Sequence, residues 1–195
     1  MSTVITHAVA SVDGFIADNN DEVGPLFDWY FNGDVPIEGS QGMKVSRASG
    51  EYVKNMWASI GVVVMGRHMF DITNGWEASP PAGDHVVVVS HRPRPADWHP
   101  EASHYHFAGD VAEAITRARE LAGDRVVAVC AGDVGGQALA LGLVEEVAMD
   151  VVPVVFGSGK RYFGPVDGQH LLEDPATVIP GDRVLHLRYP VRRPA

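Results

Sequence analysis

The chain reads VVAVCAGDVGG over residues 126–136. An apolar run typical of a buried strand comes first, then a glycine turn, and then a segment at Gly135–Leu143 that we predict to be helical. A second stretch, VVVMGRHM at residues 62–69, repeats the order of strand, glycine turn and helix. Units of this kind predict an α/β protein, because parallel strands need helical crossovers that pack on the faces of the sheet.

The rest of the chain extends the same pattern. We predict strands at Val4–Ala10, Ile60–Met65, His85–Val89, Ser103–Phe107, Arg125–Cys130, Glu145–Val155 and Arg183–Tyr189. Further helices are expected at Ser49–Ser59, His68–Thr73 and Asp110–Leu121, the last with Asp110 as N-cap and Gly123 as C-cap. Strands alternate with helices and then follow one another, which predicts a mostly parallel sheet with an antiparallel C-terminal edge.

Residues 18–50 form a long segment without an obvious helix or strand pattern. Segments of this length are usually functional or mobile loops. The segment carries four aromatic residues, Phe27, Trp29, Tyr30 and Phe31. These side chains either line a binding site for a planar ligand or pack on the core and hold the loop in place, and we favour the second interpretation. We expect residues 1–195 to form one domain that carries this loop.

Composition excludes several classes of function. The net charge of −10 argues against binding to a nucleic-acid backbone, which requires clustered basic residues. A single cysteine, Cys130, excludes a disulfide framework and fits a reducing compartment. Because we also find no signal sequence and no apolar run long enough to span a bilayer, we predict a cytoplasmic protein without membrane partners. We predict no metal site, since His104 and His106 lack a third ligand.

The two glycine turns are candidate ligand sites. Glycine allows a ligand to approach the backbone, and the N-terminus of the following helix attracts anions. Gly66 and Arg67 mark the first turn, and Ala131, Gly132, Asp133, Val134 and Gly135 mark the second. Each turn is also explained as a tight connection in an α/β fold. The sequence matches neither the dinucleotide-binding motif GxGxxG nor a P-loop.

The strand at His85–Val89 is followed by Ser90-His91-Arg92. A hydroxyl group and a guanidinium at the carboxyl end of a strand suit a phosphate monoester, since arginine offers two parallel donors. The alternative is a solvated charge in a surface turn.

Taken in order, these stretches resemble the dihydrofolate reductase-like superfamily. The similar branch is the C-terminal reductase domain of the bifunctional deaminase–reductases of riboflavin biosynthesis. The resemblance is carried by residues 11–17 (SVDGFIA), 64–67 (VMGR) with Phe70-Asp71, 88–90 (VVS), 130–133 (CAGD), 151–159 (VVPVVFGSG) and Phe163. Ala131 stands where the family often has the first of two glycines. The zinc deaminase pattern of the bifunctional enzymes needs more cysteines than this chain has.

The resemblance implies a three-layer sandwich and an NADPH-dependent reductase that transfers hydride to a pterin, pyrimidine or related heterocycle. Arg67, Ser90 and Arg92 would then bind the 2′-phosphate, and Gly132–Gly135 the pyrophosphate or nicotinamide. Asp13 is the candidate catalytic residue on the substrate side, although an Asp-Gly pair also simply forms turns. Glu51 is a second candidate, although an acid near a helix N-terminus is also explained by the helix dipole.

The resemblance also implies a homodimer, to which an apolar strand such as Val147–Phe156 would contribute. Two other classes of function stay open. One is a module that binds NADPH or pterin without turnover. The other is an oxidoreductase that depends on flavin or deazaflavin.

Overall fold

The computed structural model describes residues 2–38, 40 and 42–192. The strands are β1 Val4–Ser11, β2 Phe15–Ala17, β3 Val35–Pro36, β4 Lys44–Val45, β5 Ile60–Gly66, β6 His85–Val89, β7 Tyr105–Ala108, β8 Val126–Cys130, β9 Glu146–Val152, β10 Lys160–Arg161, β11 Thr177–Pro180 and β12 Leu185–Pro190. The helices are α1 Arg47–Ser59, α2 Arg67–Ile72, α3 Asn74–Glu77, α4 Val111–Ala122 and α5 Asp133–Ala140, with a 3-10 helix at Gly24–Phe31. No helix in the described part of the chain is long and apolar enough to cross a bilayer.

Within the described residues, eight strands form the main sheet in the order β11-β12-β9-β1-β8-β5-β6-β7. The strands from β9 to β7 in this order all run parallel. Strand β12 pairs antiparallel to β9, and β11 pairs antiparallel to β12. The predicted parallel sheet with an antiparallel C-terminal edge is therefore confirmed.

Helices cover both faces of the sheet and make a three-layer structure. On one face, α4 and α5 bury Ile115 and Leu139 against Val64 and Val129. On the opposite face, which we call the α1 face, α1 and the 3-10 helix pack Val53 and other apolar side chains against β1 and β9. The short helices α2 and α3 cover the far end of the α1 face. Each sheet residue therefore belongs to one layer, because side chains alternate along a strand.

Helix α4 begins and ends as its sequence predicts. The Asp110 carboxylate accepts a hydrogen bond from the Glu113 N–H at 2.8 Å, and the Glu113 carboxylate accepts one from the Gly109 N–H at 2.8 Å. Gly123, with φ of +61°, follows the last helical residue. The Asp110 contact satisfies one of the N–H groups that a helix start otherwise leaves without a partner, and the Glu113 contact ties the residue before the N-cap to the first turn.

Helix α5 and strand β9 differ from their predicted ranges. Helix α5 begins at Asp133 because the chain turns at Gly132, and it ends at Ala140, before Gly142 with its φ of +68°. Strand β9 ends at Val152 because Pro153, which has no N–H, cannot continue the ladder. Strand β9 also lies between β1 and β12. The expected dimer contact through a strand such as Val147–Phe156 stays a prediction. Because β9 pairs on both sides within the chain, such a contact would use side chains or the residues that follow Val152.

The segment at residues 18–50 contains more structure than its sequence predicts. It holds the 3-10 helix and the β3–β4 hairpin. Trp29 and Tyr30 are buried in the cluster beneath α1, which confirms the predicted anchoring role for these two aromatic residues. Phe31 is 60% exposed and does not contribute to this anchoring role.

Candidate cofactor and substrate site

The carboxyl ends of β1, β8, β5 and β6 lie side by side, because these parallel strands are neighbours in the sheet. Four turns therefore line one edge of the sheet, which we call the carboxyl edge. They lie at Ser11–Gly14, Ala131–Asp133, Gly66–Arg67 and Ser90–Arg92. Ligands of open α/β sheets bind at such an edge.

The structure brings Arg67, Ser90 and Arg92 together at this edge. Nη1 of Arg67 donates to Oγ of Ser90 at 3.4 Å and to the carbonyl of Pro93 at 3.1 Å. The Ser90 hydroxyl accepts from the Arg92 N–H at 3.0 Å and donates to the Arg92 carbonyl at 2.7 Å. The turn thus holds both guanidinium groups next to the end of β6.

Asp71 joins the two arginines, a role that the sequence analysis missed. Its carboxylate accepts from Nε of Arg67 at 2.6 Å and from Nη2 of Arg92 at 2.6 Å. The hydrogen bond from Arg67, followed by that from Arg92, holds the pKa of Asp71 below its ordinary value. Two positive charges and one negative charge leave this cluster at +1. The sequence does contain one indication of this role, because residues four apart on a helix, such as Arg67 and Asp71, can form an ion pair.

Gly132 forms the sharpest turn at the carboxyl edge. Its φ of +92° and ψ of −147° lie in a region that is open essentially only to glycine. A Cβ at this position would approach only Cδ1 of Ile16, at 3.8 Å. The turn therefore has open space beside Gly132, whose own N–H is already donated to the Tyr162 carbonyl at 2.6 Å. The N-terminus of α5 has no side-chain cap, which is a feature of sites that bind a pyrophosphate.

The residues next to Gly132 pack against other parts of the chain and leave little room for a ligand to approach. A Cβ on Gly135 would lie 3.0 Å from the Cys130 carbonyl oxygen, and one on Gly66 would lie 3.0 Å from Cγ2 of Val134. Val134 is buried, and Ala131 packs with the cluster around Tyr162. Asp133 is exposed in the first turn of α5, and its carboxylate lies beside Gly164. Its negative charge opposes an anion at this helix N-terminus, so its side chain is not a contact for a phosphate.

Asp13 connects the turn at Ser11–Gly14 with the segment at residues 156–157, which follows β9. Its carboxylate accepts from the Ser11 hydroxyl at 2.6 Å, from the Gly157 N–H at 2.7 Å and from the Phe156 N–H at 3.1 Å. The Ser11 hydrogen bond, helped by the two backbone N–H groups, lowers the pKa of Asp13 to about 2. Asp13 is therefore an ionised acceptor at neutral pH and has no proton to donate.

The other candidates lie away from this arrangement or lack ligand geometry. Glu51 is exposed on α1. His106 accepts from Arg117 at 3.0 Å and contacts His85 at 3.4 Å, which accounts for both of its ring nitrogens. Among the described residues, no group of three or more His, Cys, Asp or Glu side chains could hold a metal ion.

A buried polar chain on the α1 face was also missed by the sequence analysis. Asp150 of β9 accepts from Nδ1 of His186 at 2.6 Å and contacts Nε2 of His7 at 2.9 Å. His186 contacts Oγ of Ser49 through Nε2 at 2.9 Å. Burial alone would raise the pKa of Asp150, but the two histidines outweigh it and lower this pKa to about 2. No sequence signal joins residues that are this far apart along the chain.

These features define a class of protein. A mostly parallel sheet between two helical layers, with its glycine turns and an arginine pair at the carboxyl edge, is the dihydrofolate reductase-like fold of the riboflavin-biosynthesis reductase domains. The chain belongs to the RibD C-terminal domain family, whose family model matches residues 2–183.

Solved structures share this fold at low sequence identity. A protein from Shewanella sp. PV-4 assigned to riboflavin biosynthesis has a TM-score of 0.70 and 18% identity, with 98% of this chain and 99% of that chain covered. RibD from Acinetobacter baumannii has a TM-score of 0.60 and 16% identity over 98% of this chain and 58% of that chain.

A third structure comes from Thermotoga maritima, a diaminohydroxyphosphoribosylaminopyrimidine deaminase/5-amino-6-(5-phosphoribosylamino)uracil reductase. It has a TM-score of 0.63 and 14% identity, with 98% of this chain and 57% of that chain covered. The chain thus spans a little over half the length of the RibD proteins that it matches. No individually curated protein matches it.

Proposed function

We propose that the protein is an NADPH-dependent reductase that transfers hydride to a small heterocyclic substrate, a pyrimidine, a pterin or a related compound. The observation that carries the proposal is the arrangement of the carboxyl edge. An open glycine turn and an uncapped helix N-terminus share this edge with a fixed pair of arginines. An NADPH molecule needs both kinds of anion site, one for its pyrophosphate and one for its 2′-phosphate.

The 2′-phosphate is assigned to Arg67, Ser90 and Arg92. Arg92 is 64% exposed and has a free face toward solvent, whereas Arg67 is mostly buried and already bonded on two sides. Arg92 therefore makes the main contact, and Arg67 holds Asp71 and the turn in place. The net charge of +1 favours a phosphate over a neutral ribose hydroxyl.

The pyrophosphate and nicotinamide are assigned to the turn at Ala131–Gly135. The backbone N–H groups of Asp133 and Val134 begin α5 and are oriented toward an anion at the helix N-terminus. When bound, the nicotinamide supplies the hydride, and the protein orients donor and acceptor.

Asp13 is assigned to the substrate side. A carboxylate has about four acceptor sites, and three hydrogen bonds within the chain occupy Asp13. One acceptor site is left for a substrate N–H, as a pyrimidine or pterin ring offers. The proposed role is therefore orientation of the substrate and not proton donation. The cytoplasmic location stays a prediction from the sequence.

Two measurements test the function. Calorimetry should give an NADPH dissociation constant at least about tenfold below that of NADH, which corresponds to about 1.4 kcal/mol. Loss of NADPH absorbance should then be followed with 5-amino-6-(5-phosphoribosylamino)uracil, dihydrofolate and a dihydropterin. NADPH binding without turnover of any of them would favour a binding module. Equal affinities for NADPH and NADH would remove the 2′-phosphate assignment.

A further inference from the structure

We propose that Trp76 stacks on the heterocyclic ring of the substrate and donates its indole N–H to an acceptor at the edge of that ring. The inference rests on the proposed function, and it identifies Trp76 as a residue that determines which substrates bind. Three observations support it: the backbone conformation around Trp76, the place of its indole on the sheet, and an N–H group that no other described residue uses.

Residues 74–78 form a left-handed turn. Their φ angles in chain order are +48°, +56°, +50°, +51° and +57°. Gly75 adopts this region readily, but for other L-residues it is costly, and a bulky side chain such as that of Trp76 is rare there. Backbone strain of this kind is concentrated at functional sites, where the surrounding structure fixes it. The strained turn therefore points to a role for the side chain that it presents.

Buried side chains hold the turn in this conformation. Nε1 of Trp98 donates to the Asn74 carbonyl at 3.1 Å, and the Tyr105 hydroxyl donates to the Gly75 carbonyl at 2.7 Å. Trp98 and Tyr105 are both buried, and their ring centroids lie 4.8 Å apart. The turn is thus fixed by contacts within the chain, and it holds Trp76 in place before any ligand binds.

The turn places the Trp76 side chain on the α1 face, near the end of β8. The indole packs against two apolar clusters of that face, one formed by Ile5, Ile60, Val63 and Ala128 and one that contains Met65 and Phe70. Cys130, the last residue of β8, packs against the same two clusters. Gly132 follows two residues later. Trp76 therefore lies near the turn to which the nicotinamide is assigned.

A strip of partly exposed sheet residues lies between the two groups of helices on the α1 face. Helix α1 packs on the side of β9, whereas α2 and α3 pack on the side of β5 and β6. The strands between them, β1 and β8, carry His7 and Cys130, which pair in register. The His7 side chain is 18% exposed, and Cys130 and Trp76 are partly exposed as well. A flat ring on this strip would contact the Trp76 indole and reach the cofactor turn.

The indole N–H of Trp76 is available to a ligand. It has no hydrogen-bond partner in the described part of the chain. The buried side-chain groups there that lack a partner belong to Trp29 and Tyr52, so the Trp76 N–H is not buried. An indole combines an apolar face with one donor. This combination suits a planar ring with a carbonyl oxygen or ring nitrogen at its edge, as in pyrimidines and pterins, whereas aliphatic carbonyl compounds have no such ring.

Calorimetry tests the proposal on the complex of the protein with NADP⁺, in which no hydride is available to the probe. The probes are 5-amino-6-(5-phosphoribosylamino)uracil, dihydrofolate and a dihydropterin. We expect Trp76→Leu to weaken binding of the best of these compounds by about 5- to 150-fold, as for the loss of one stack between a base and an aromatic ring. Trp76→Phe keeps a ring and removes the N–H group, so its loss of affinity should be about 2- to 13-fold.

Two controls accompany this measurement. The NADPH dissociation constant of both variants should stay within about twofold of the wild-type value. Trp57→Phe is the matched control, because Trp57 packs with the cluster beneath α1, and it should keep the wild-type affinity for every probe. Unchanged affinity for the probes in both Trp76 variants would overturn the proposal. An equal loss of NADPH affinity would also overturn it, because Trp76 would then line the cofactor site.

Indole ¹H–¹⁵N NMR of the wild-type protein tests the position of Trp76 without any substrate. The chain has four tryptophans, and the spectrum of Trp76→Phe assigns the Trp76 signal by its loss. We expect the Trp76 N–H to exchange quickly with water, whereas that of Trp98, which is bonded to the Asn74 carbonyl, exchanges slowly. A slowly exchanging Trp76 signal would overturn the proposal. A wild-type protein that binds none of the probes contradicts the proposed function instead, and the exchange rate still decides whether the indole is open as described.

Discussion

Arg92 is the residue at which cofactor preference can be tested with least effect on the fold. Its guanidinium is exposed and its ion pair with Asp71 lies at the surface, where such pairs contribute little to stability. We expect Arg92→Ala to weaken NADPH binding by about tenfold and NADH binding hardly at all. Calorimetry with both cofactors measures this. Arg125→Ala is the matched control, because Arg125 pairs with Asp84 beside the opposite ends of the strands.

Gly132 is less suited to a binding test than its position suggests. From the sequence alone, Gly132→Val is expected to weaken cofactor binding far more than it lowers the melting temperature, on the assumption that the fold accepts a small side chain at this position. The backbone angles contradict this expectation, because a side chain at φ +92° and ψ −147° is strained whatever the free space.

We therefore expect even Gly132→Ala to lower the free energy of unfolding, by about 1–3 kcal/mol. Urea denaturation provides the measurement. Gly142→Ala, at φ of +68° with open space around it, should cost less, about 1–2 kcal/mol. Equal losses at the two positions would argue against special strain at Gly132.

Asp13 makes a pH-dependent contribution that can be measured without a substrate. Its pKa in the folded chain is lowered from 3.8 to about 2. A lowered pKa stabilises the native state above the unfolded value, and this contribution is lost as the pH falls. We expect the melting temperature to fall less steeply between pH 4 and pH 2 in Asp13→Asn than in the wild type. Parallel pH profiles would show that the carboxylate contacts do not persist in solution.

At the scale of elements, α4 offers the clearest test of local stability. Asp110→Ala removes the acceptor for the Glu113 N–H. We expect a loss of about 0.5–2 kcal/mol in the free energy of unfolding, as for other N-cap replacements. Asp110→Ser keeps an acceptor and should recover most of this loss. A wild-type midpoint for Asp110→Ala in urea would show that the cap is not needed.

The sequence did not predict the elements that form only because tertiary contacts stabilise them. The 3-10 helix at Gly24–Phe31 has only a weak local signal, and the burial of Leu26 and Trp29 under α1 stabilises it. Strand β11 was missed because it is a short edge strand that pairs only with β12. In contrast, β5, β6 and β8 were predicted within a residue, since buried parallel strands read as continuous apolar runs.

At the scale of the whole molecule, the family resemblance leads us to expect a homodimer. Because β9 is internal, strand pairing between copies through the main sheet of the described residues would use one of its edge strands, β7 or β11. Strand β11 presents Val178 to solvent at the edge of the sheet, although it is short and ends at Pro180, which limits backbone pairing there. Light scattering should give twice the chain mass of 21.0 kDa. Val178→Lys should lower that mass if β11 forms the contact, and a 21.0 kDa wild-type particle would contradict the dimer.

Sequence patterns alone were enough to predict the fold class, the family and the turns that line the carboxyl edge. These are local or periodic properties: apolar runs, glycine at fixed offsets and helix caps are all visible within about a dozen residues. Parallel pairing then requires that the candidate turns after β5, β6 and β8 share one edge. Arg67, Ser90, Arg92 and Gly132 were predicted as candidate site residues in this way.

Which side chains meet across the sheet could be learned from the folded chain and not from the sequence. His7, Ser49, Asp150 and His186 come from the two ends of the chain and from α1, and the pairing of β9 with β1 and β12 is what joins them. Likewise, three hydrogen-bond donors surround the Asp13 carboxylate and identify it as an ionised acceptor. The Asp-Gly pair in the sequence gives no indication of these donors. A hydrogen bond or a charge interaction depends on a distance of a few ångströms in space and not on the separation along the chain. Local sequence patterns therefore do not predict such contacts between distant residues.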